Sequence, residues 1–102
     1  MKKSKLSKTK YAYRSHAITR YKERYDTELS YEQYYALGEL ITTGKSMLNI
    51  PQTDSRTIHV LKIGGLIIVA VWSKTASCIV TFLIPDMIRK EIMLMFIARN
   101  TI

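Results

Sequence analysis

Thr57-Ile58-His59-Val60-Leu61-Lys62-Ile63-Gly64-Gly65-Leu66-Ile67-Ile68-Val69-Ala70-Val71-Trp72-Ser73 decides the fold class of this 102-residue chain. Two runs rich in β-branched residues flank a glycine pair, and a two-residue glycine loop closes a tight antiparallel hairpin. That loop length also sets the register. Ile63 falls opposite Leu66, Leu61 opposite Ile68, His59 opposite Ala70 and Thr57 opposite Trp72.

Downstream, Lys74 to Ser77 reads as the next turn and Cys78 to Ile84 as a third long strand, which Pro85 ends. With a two- or four-residue turn, Ser73 pairs with Cys78, Trp72 with Ile79 and Ala70 with Thr81. His59, Ala70 and Thr81 then form one row, about 10 Å from end to end, with a hollow over the small Ala70. A three-residue turn would put Thr81 on the other face. That other face carries Ile58, Val60, Val69, Val71, Val80 and Phe82, and is expected to pack the helices. Asp86 is expected to cap a last helix from about Met87 to Arg99. Residues 87–97 of it are greasy nearly all round, so it either folds back over the sheet or pairs with a second copy of the chain.

Upstream, Ser46 to Ile50 reads as a short strand ended by Pro51. Before it, Ser30 and Gln33 have capping-box spacing. Tyr34, Leu37, Leu40 and Ile41 make an apolar stripe, and Gly44 stands where a helix-ending glycine belongs. An earlier helix is expected from an N-cap at Ser15 to about Tyr25. Its Ile18, Tyr21 and Tyr25 form a greasy face, while His16, Arg20 and Arg24 recur at i, i+4 and i+8 on another. The resulting fold is α+β: an N-terminal helical hairpin packed on a mainly antiparallel sheet of about four strands, followed by a C-terminal helix. Residues 1–14 read as a flexible basic arm interrupted by Tyr11 and Tyr13, and 15–102 as one domain.

Sixteen Lys and Arg against eight Asp and Glu give a formal net charge of +8. That balance favours a polyanionic partner, nucleic acid or an anionic surface. A single cysteine, Cys78, excludes an internal disulfide and fits a reducing, cytoplasmic setting. It lies in an apolar run and reads as a buried hydrophobe. One Cys and two His cannot make a zinc motif, so no metal or cofactor is expected. The longest charge-free apolar stretch, Gly64 to Ser73, is too short to span a bilayer, and no signal peptide is evident.

Two histidines, one on a helix and one on a strand, amid plentiful cations are the parts a metal-free ribonuclease uses. One group takes the ribose 2′-hydroxyl proton, another protonates the leaving oxygen, and cations steady the charged phosphorane. The candidates are His16 and His59 as acid and base and Thr81 as a hydrogen-bond donor to phosphate. Arg20, Arg24, Lys74 and Lys62 are the candidate phosphate-binding cations.

The element order resembles the small ribonuclease-toxin folds of the barnase, EndoU, colicin and RelE superfamily. The likeness is sharper in His16-Ala17-x-x-Arg20-x-x-x-Arg24, a second helix ending near Thr43-Gly44, and strands ending in Val80-Thr81-Phe82-Leu83. Together these look like the uncharacterised small domains of that superfamily that open His-Ala-x-x-Arg, over roughly His16 to Ile84. The resemblance implies active residues at His16, Arg20 or Arg24, and Thr81. It also implies a cytoplasmic, metal-independent endoribonuclease of toxin type, or a phage or mobile-element relative, acting on mRNA or tRNA, on the ribosome or off it. A protein inhibitor or antitoxin would be its partner. The late strands depart from a RelE-like enzyme in having only Lys74 and Arg89 as nearby cations. Two other readings stand beside it: a non-catalytic RNA- or DNA-binding or inhibitory protein using the arm and the Arg20–Arg24 face, and a dimeric protein–protein module. Placement of His59 and Thr81 on opposite faces favours the binding protein.

Overall fold

The computed structural model describes residues 7–100, apart from the side chains of 95, 96 and 98–100. Its elements are α1 (Lys8–Tyr25), α2 (Tyr31–Thr42), β1 (Leu48–Pro51), β2 (Arg56–Ile63), β3 (Leu66–Ser73), β4 (Cys78–Leu83), a 3-10 turn (Pro85–Ile88) and α3 (Arg89–Asn100). The strands form one antiparallel meander in chain order. The α+β class holds: two helices, four strands, one helix.

Gly64-Gly65 closes the central hairpin, and all four expected pairs between β2 and β3 are present. Gly64 has φ 60 and Gly65 keeps a negative φ, the pattern of a II′ turn, whose twist matches that of the strands. The turn from Lys74 to Ser77 has four residues and is held from inside by the buried Ser73. Its hydroxyl accepts from the Ala76 N–H at 3.0 Å and shares a hydrogen bond with Thr75 Oγ1 at 3.1 Å. Ser73 therefore pairs with Cys78, and Trp72 with Ile79.

Beyond that point the register departs from the expected one. A β-bulge sets Val80 and Thr81 together against Val71, so Ala70 meets Phe82. The row across the sheet is Asn49, His59, Ala70 and Phe82. Thr81 is not in it, and the Phe82 ring occupies the space over Ala70; both residues are fully buried.

α2 has the expected ends. Ser30 Oγ accepts from the Gln33 N–H at 3.0 Å, and Gln33 Oε1 accepts from the Ser30 N–H at 2.8 Å. At the other end the Gly44 N–H reaches the Ile41 carbonyl and the Lys45 N–H the Leu40 carbonyl, with Gly44 at φ 75. Together these make a Schellman motif.

α1 starts two turns earlier than expected. Its N-cap is Ser7, whose Oγ accepts from the Lys10 N–H at 3.1 Å. Lys8 to Arg14 thus belong to the helix and not to an arm, and Ser15 is an exposed residue inside it. Lys2, Lys3 and Lys5 lie outside the described residues. Helical stability in proteins comes mainly from tertiary packing, and the added turns have such partners. Arg56 Nη2 donates to the Tyr13 hydroxyl at 3.3 Å, and Arg14 Nη1 donates to the Tyr35 hydroxyl at 2.9 Å.

The two faces of the sheet are covered in the opposite sense to that expected. α1 and α2 pack on the face bearing His59, where Leu61, Ile68, Ile79 and Phe82 meet Ala17, Tyr21, Tyr34 and Leu37. The other face, with Ile58, Val60, Val69, Val71 and Val80, meets Ile88 and Ile92 from the C-terminal segment. Both faces are apolar, so alternation groups residues by face without saying which face takes the pair α1 and α2. The bulge turns Phe82 toward Tyr21, whose ring meets it edge-on at 5.1 Å. The C-terminal segment folds back through Ile88 and Ile92, one turn apart, and leaves Met87, Met93, Leu94 and Ile97 exposed. It opens with a 3-10 turn carrying Pro85 and no side-chain cap from Asp86.

α1 lies along β4 and closes that edge of the sheet. Arg24 Nη1 donates to the Phe82 carbonyl at 2.6 Å, and the Tyr34 hydroxyl from α2 donates to the Ile79 carbonyl at 2.7 Å. The Tyr25 hydroxyl sits between β3 and β4. It accepts from the Val69 N–H at 2.9 Å and donates to the Leu83 carbonyl at 2.5 Å.

Candidate functional site

His16, His59 and Thr81 are not brought together. The bulge pairs Thr81 with Val71, a residue of the face that the C-terminal segment covers, whereas His59 lies on the helix face opposite Ala70. His16 is exposed on α1. Three clefts among the described residues take their walls from other residues than these three.

The cations are dispersed for reasons of geometry. Four residues advance an α-helix by a turn plus about 40°, so Arg24 is rotated about 80° from His16. That rotation carries the Arg24 guanidinium onto the Phe82 carbonyl. Arg20 pairs with Glu23 at 2.6 Å. Lys62 stands near the Gly64-Gly65 tip and Lys74 in the turn at the other end of the sheet, about 20 Å away at the rise of a β-strand.

His59 has a structural environment. Its Nδ1 is 2.8 Å from Ser46 Oγ, and burial pushes the imidazole below its ordinary pKa. The unfolded chain therefore binds the proton more readily than the folded one. The contribution is complete above about pH 6.5 and is lost as pH falls through that value toward the lowered native one. Urea midpoints should fall between pH 7.5 and 5.5, and His59→Gln should flatten that slope. An unchanged slope would remove His59 from the account.

A different group of residues does converge. Where the first turns of α1 meet α2 and the turn after β3, a cleft of about 250 Å³ is lined by Lys10, Arg14, Tyr35, Glu39, Trp72 and Cys78, among others. Lys10 and Arg14 are one helical turn apart. The Arg14 guanidinium carbon lies 3.9 Å from the Tyr31 ring centroid and 5.3 Å from that of Tyr11, a cation–π arrangement. Tyr31 and Tyr35 are themselves one turn apart on α2, and both are exposed. Trp72 is the only tryptophan of the chain.

Burial pushes the Cys78 thiol above its ordinary value, so it stays protonated and is a poor nucleophile. Burial also raises the Tyr34 hydroxyl, which keeps its proton for the Ile79 carbonyl. Among the described residues, no three His, Cys, Asp or Glu side chains come together as a metal-ligand set, and no helix is long and apolar enough to cross a membrane.

Comparison with family models, curated proteins and solved structures gives no match.

Next to the cleft, and sharing Lys10 with it, a second hollow of about 300 Å³ is lined by Ser7, Thr9, Tyr13, Thr75 and Ala76. It lies at the N-terminus of α1, whose first turn carries no acid. The positive end of the helix dipole and the lysines there both favour an anion.

From the sequence alone, Lys10 and Arg14 count as charges of the basic arm, and Trp72 only as a strand residue opposite Thr57 and Ile79. The usable signal was the matching i, i+4 spacing of Lys10–Arg14 and Tyr31–Tyr35. It becomes visible once the helix is started at Ser7.

Proposed function

We propose that this protein binds single-stranded nucleic acid, RNA in the first place, across the cleft and the hollow that share Lys10. One observation carries the reading: Lys10 and Arg14 line the same cleft as the exposed Tyr35 and the sole tryptophan, and the exposed Tyr31 lies against the Arg14 guanidinium. Cations that track the backbone, interleaved with rings on which bases stack, are the means by which proteins hold single strands. The net charge of +8 supplies long-range attraction to such a strand. Lys8 at the start of α1 and Lys74 beside the hollow extend the basic surface.

Anisotropy of a labelled RNA decamer, titrated at several salt concentrations, tests it. Each neutralised phosphate of a single strand contributes about −0.7 to the log–log salt slope. Four contacts, by Lys8, Lys10, Arg14 and Lys74, give a slope of about −3. The double variant Lys10→Ala, Arg14→Ala should bind more weakly and flatten the slope by about 1.4. An unchanged slope and affinity would place the strand elsewhere.

Endoribonuclease activity is the second reading, favoured by the exposure of His16 on α1, one turn before the cation Arg20. Its test is incubation with total RNA in EDTA. Cleavage to 2′,3′-cyclic phosphate ends, lost in His16→Ala, would establish it; intact RNA, with translating ribosomes also assayed, would remove it.

A further inference from the structure

Three features of the cleft go beyond attraction to a phosphate backbone. The first is an acid. Glu39 lies on the wall of a cleft whose other charges are Lys10 and Arg14. The ion pairs formed among the described residues are Arg20–Glu23 and Lys22–Glu28, and neither uses Glu39. A carboxylate here repels phosphate, so it works against the general affinity of the surface. It is suited to accepting hydrogen bonds from N–H groups.

The second is a missing methyl group. Gly38 lies in the middle of α2, where glycine is the poorest helix former after proline. No positive φ requires it. A Cβ built there would stand 3.6 Å from Trp72 Cζ3, an ordinary van der Waals contact, so packing does not require glycine either. Gly38 lines the cleft, and its effect is to leave open the space beside the indole.

The third is size. About 250 Å³ is below the range of pockets for drug-sized ligands and suits one planar ring system.

We infer that the cleft is a base-reading pocket, in which a guanine stacks on Trp72 and is selected by Glu39, with Lys10 and Arg14 taking the adjoining phosphate. The inference rests on the nucleic-acid reading above and specifies it. Among the four RNA bases, guanine alone presents two adjacent donors, N1–H and the 2-amino group, to the two oxygens of one carboxylate. Uracil presents a single N3–H between two carbonyl oxygens, which a carboxylate repels. Adenine and cytosine place an acceptor nitrogen beside their amino group. Glu39 is then the residue that sets specificity, and Gly38 keeps the pocket deep enough to admit a ring.

The single tryptophan makes the test direct, because all indole emission comes from the pocket. Two RNA decamers are compared by anisotropy and by Trp72 fluorescence: oligouridine, and oligouridine with one central guanosine. The guanosine decamer should bind about tenfold tighter and quench Trp72, the scale of one bidentate base contact. Glu39→Gln should bring the two affinities within about twofold of each other, since a bidentate carboxylate acceptor is lost. Gly38→Ala should raise the melting temperature and abolish the quenching together, a pairing that simple damage to the fold would not give.

Equal affinities with Trp72 emission unchanged, while both decamers still bind with the expected salt slope, would overturn the base pocket and leave the binding reading standing. Preference retained in Glu39→Gln would overturn the role of Glu39. Failure of both decamers to bind would overturn the pocket and the binding reading together.

Discussion

Phe82→Ala is expected to lower folding stability by about 3–5 kcal/mol, the usual cost of emptying a large buried aromatic site. Phe82 is fully buried and stands opposite Ala70, the one small residue in its row. Its ring meets Tyr21 edge-on at 5.1 Å, and Tyr21 in turn stacks on Tyr25 at 4.7 Å. Alanine would leave a void that three elements border and none can close alone. Domains of this size have about 5–15 kcal/mol in hand, so the variant should be largely unfolded under mild urea. Thr81→Ala, one residue away but outside the row, should cost less than about 1 kcal/mol. Urea unfolding followed by far-ultraviolet circular dichroism reads both. If the costs came out reversed, Thr81 would hold the row and the bulge at Val80 would be wrong.

The second large effect belongs to Tyr25→Phe, expected to cost about 1–3 kcal/mol through backbone groups left without a partner. The ring and its stacking on Tyr21 survive this change. What is lost is one hydroxyl that serves both the Val69 N–H and the Leu83 carbonyl. Amide exchange gives a local readout, since protection at Val69 should fall more than protection at Val60 in the hairpin. Unchanged stability with Val69 still protected would mean that the two strands close on each other when the hydroxyl is gone, and the Tyr25 hydroxyl would have no structural role.

The parts of this fold that could be read from the chain alone are those specified by neighbouring residues. The glycine pair between alternating β-formers carried the hairpin and its register. Ser30 with Gln33, and Gly44 after Thr43, carried both ends of α2. The parts that could not be read depend on residues distant in sequence. Nothing in Ile79-Val80-Thr81-Phe82 distinguishes a bulged strand from a regular one. The bulge lies where β4 meets both helices, with Arg24 of α1 and Tyr34 of α2 taking its carbonyls. The start of α1 was missed because Ser7 has a lysine three residues on, so no capping box marks it, and because Tyr13 and Arg14 find their partners in Arg56 and Tyr35. Both errors bear on the site. The bulge takes Thr81 away from His59, and the longer helix turns two supposed arm cations into fixed walls of a cleft.

The closure of β4 by α1 also has a consequence for how this chain is made. The anchoring bonds join Arg24 to Phe82 and Tyr25 to Leu83, each across 58 residues. At translation rates of about 5–20 residues per second, that interval lasts about 3–12 s. Throughout it, α1 has no β4 to lie against, and its Ala17, Tyr21 and Tyr25 stripe faces solvent. A nascent chain halted before Leu83 would carry an undocked helix and a bare sheet edge at once, two surfaces that invite association with other chains. Docking of α1 therefore waits for the last residues of β4, and cover for the opposite face of the sheet waits longer still, for Ile88 and Ile92.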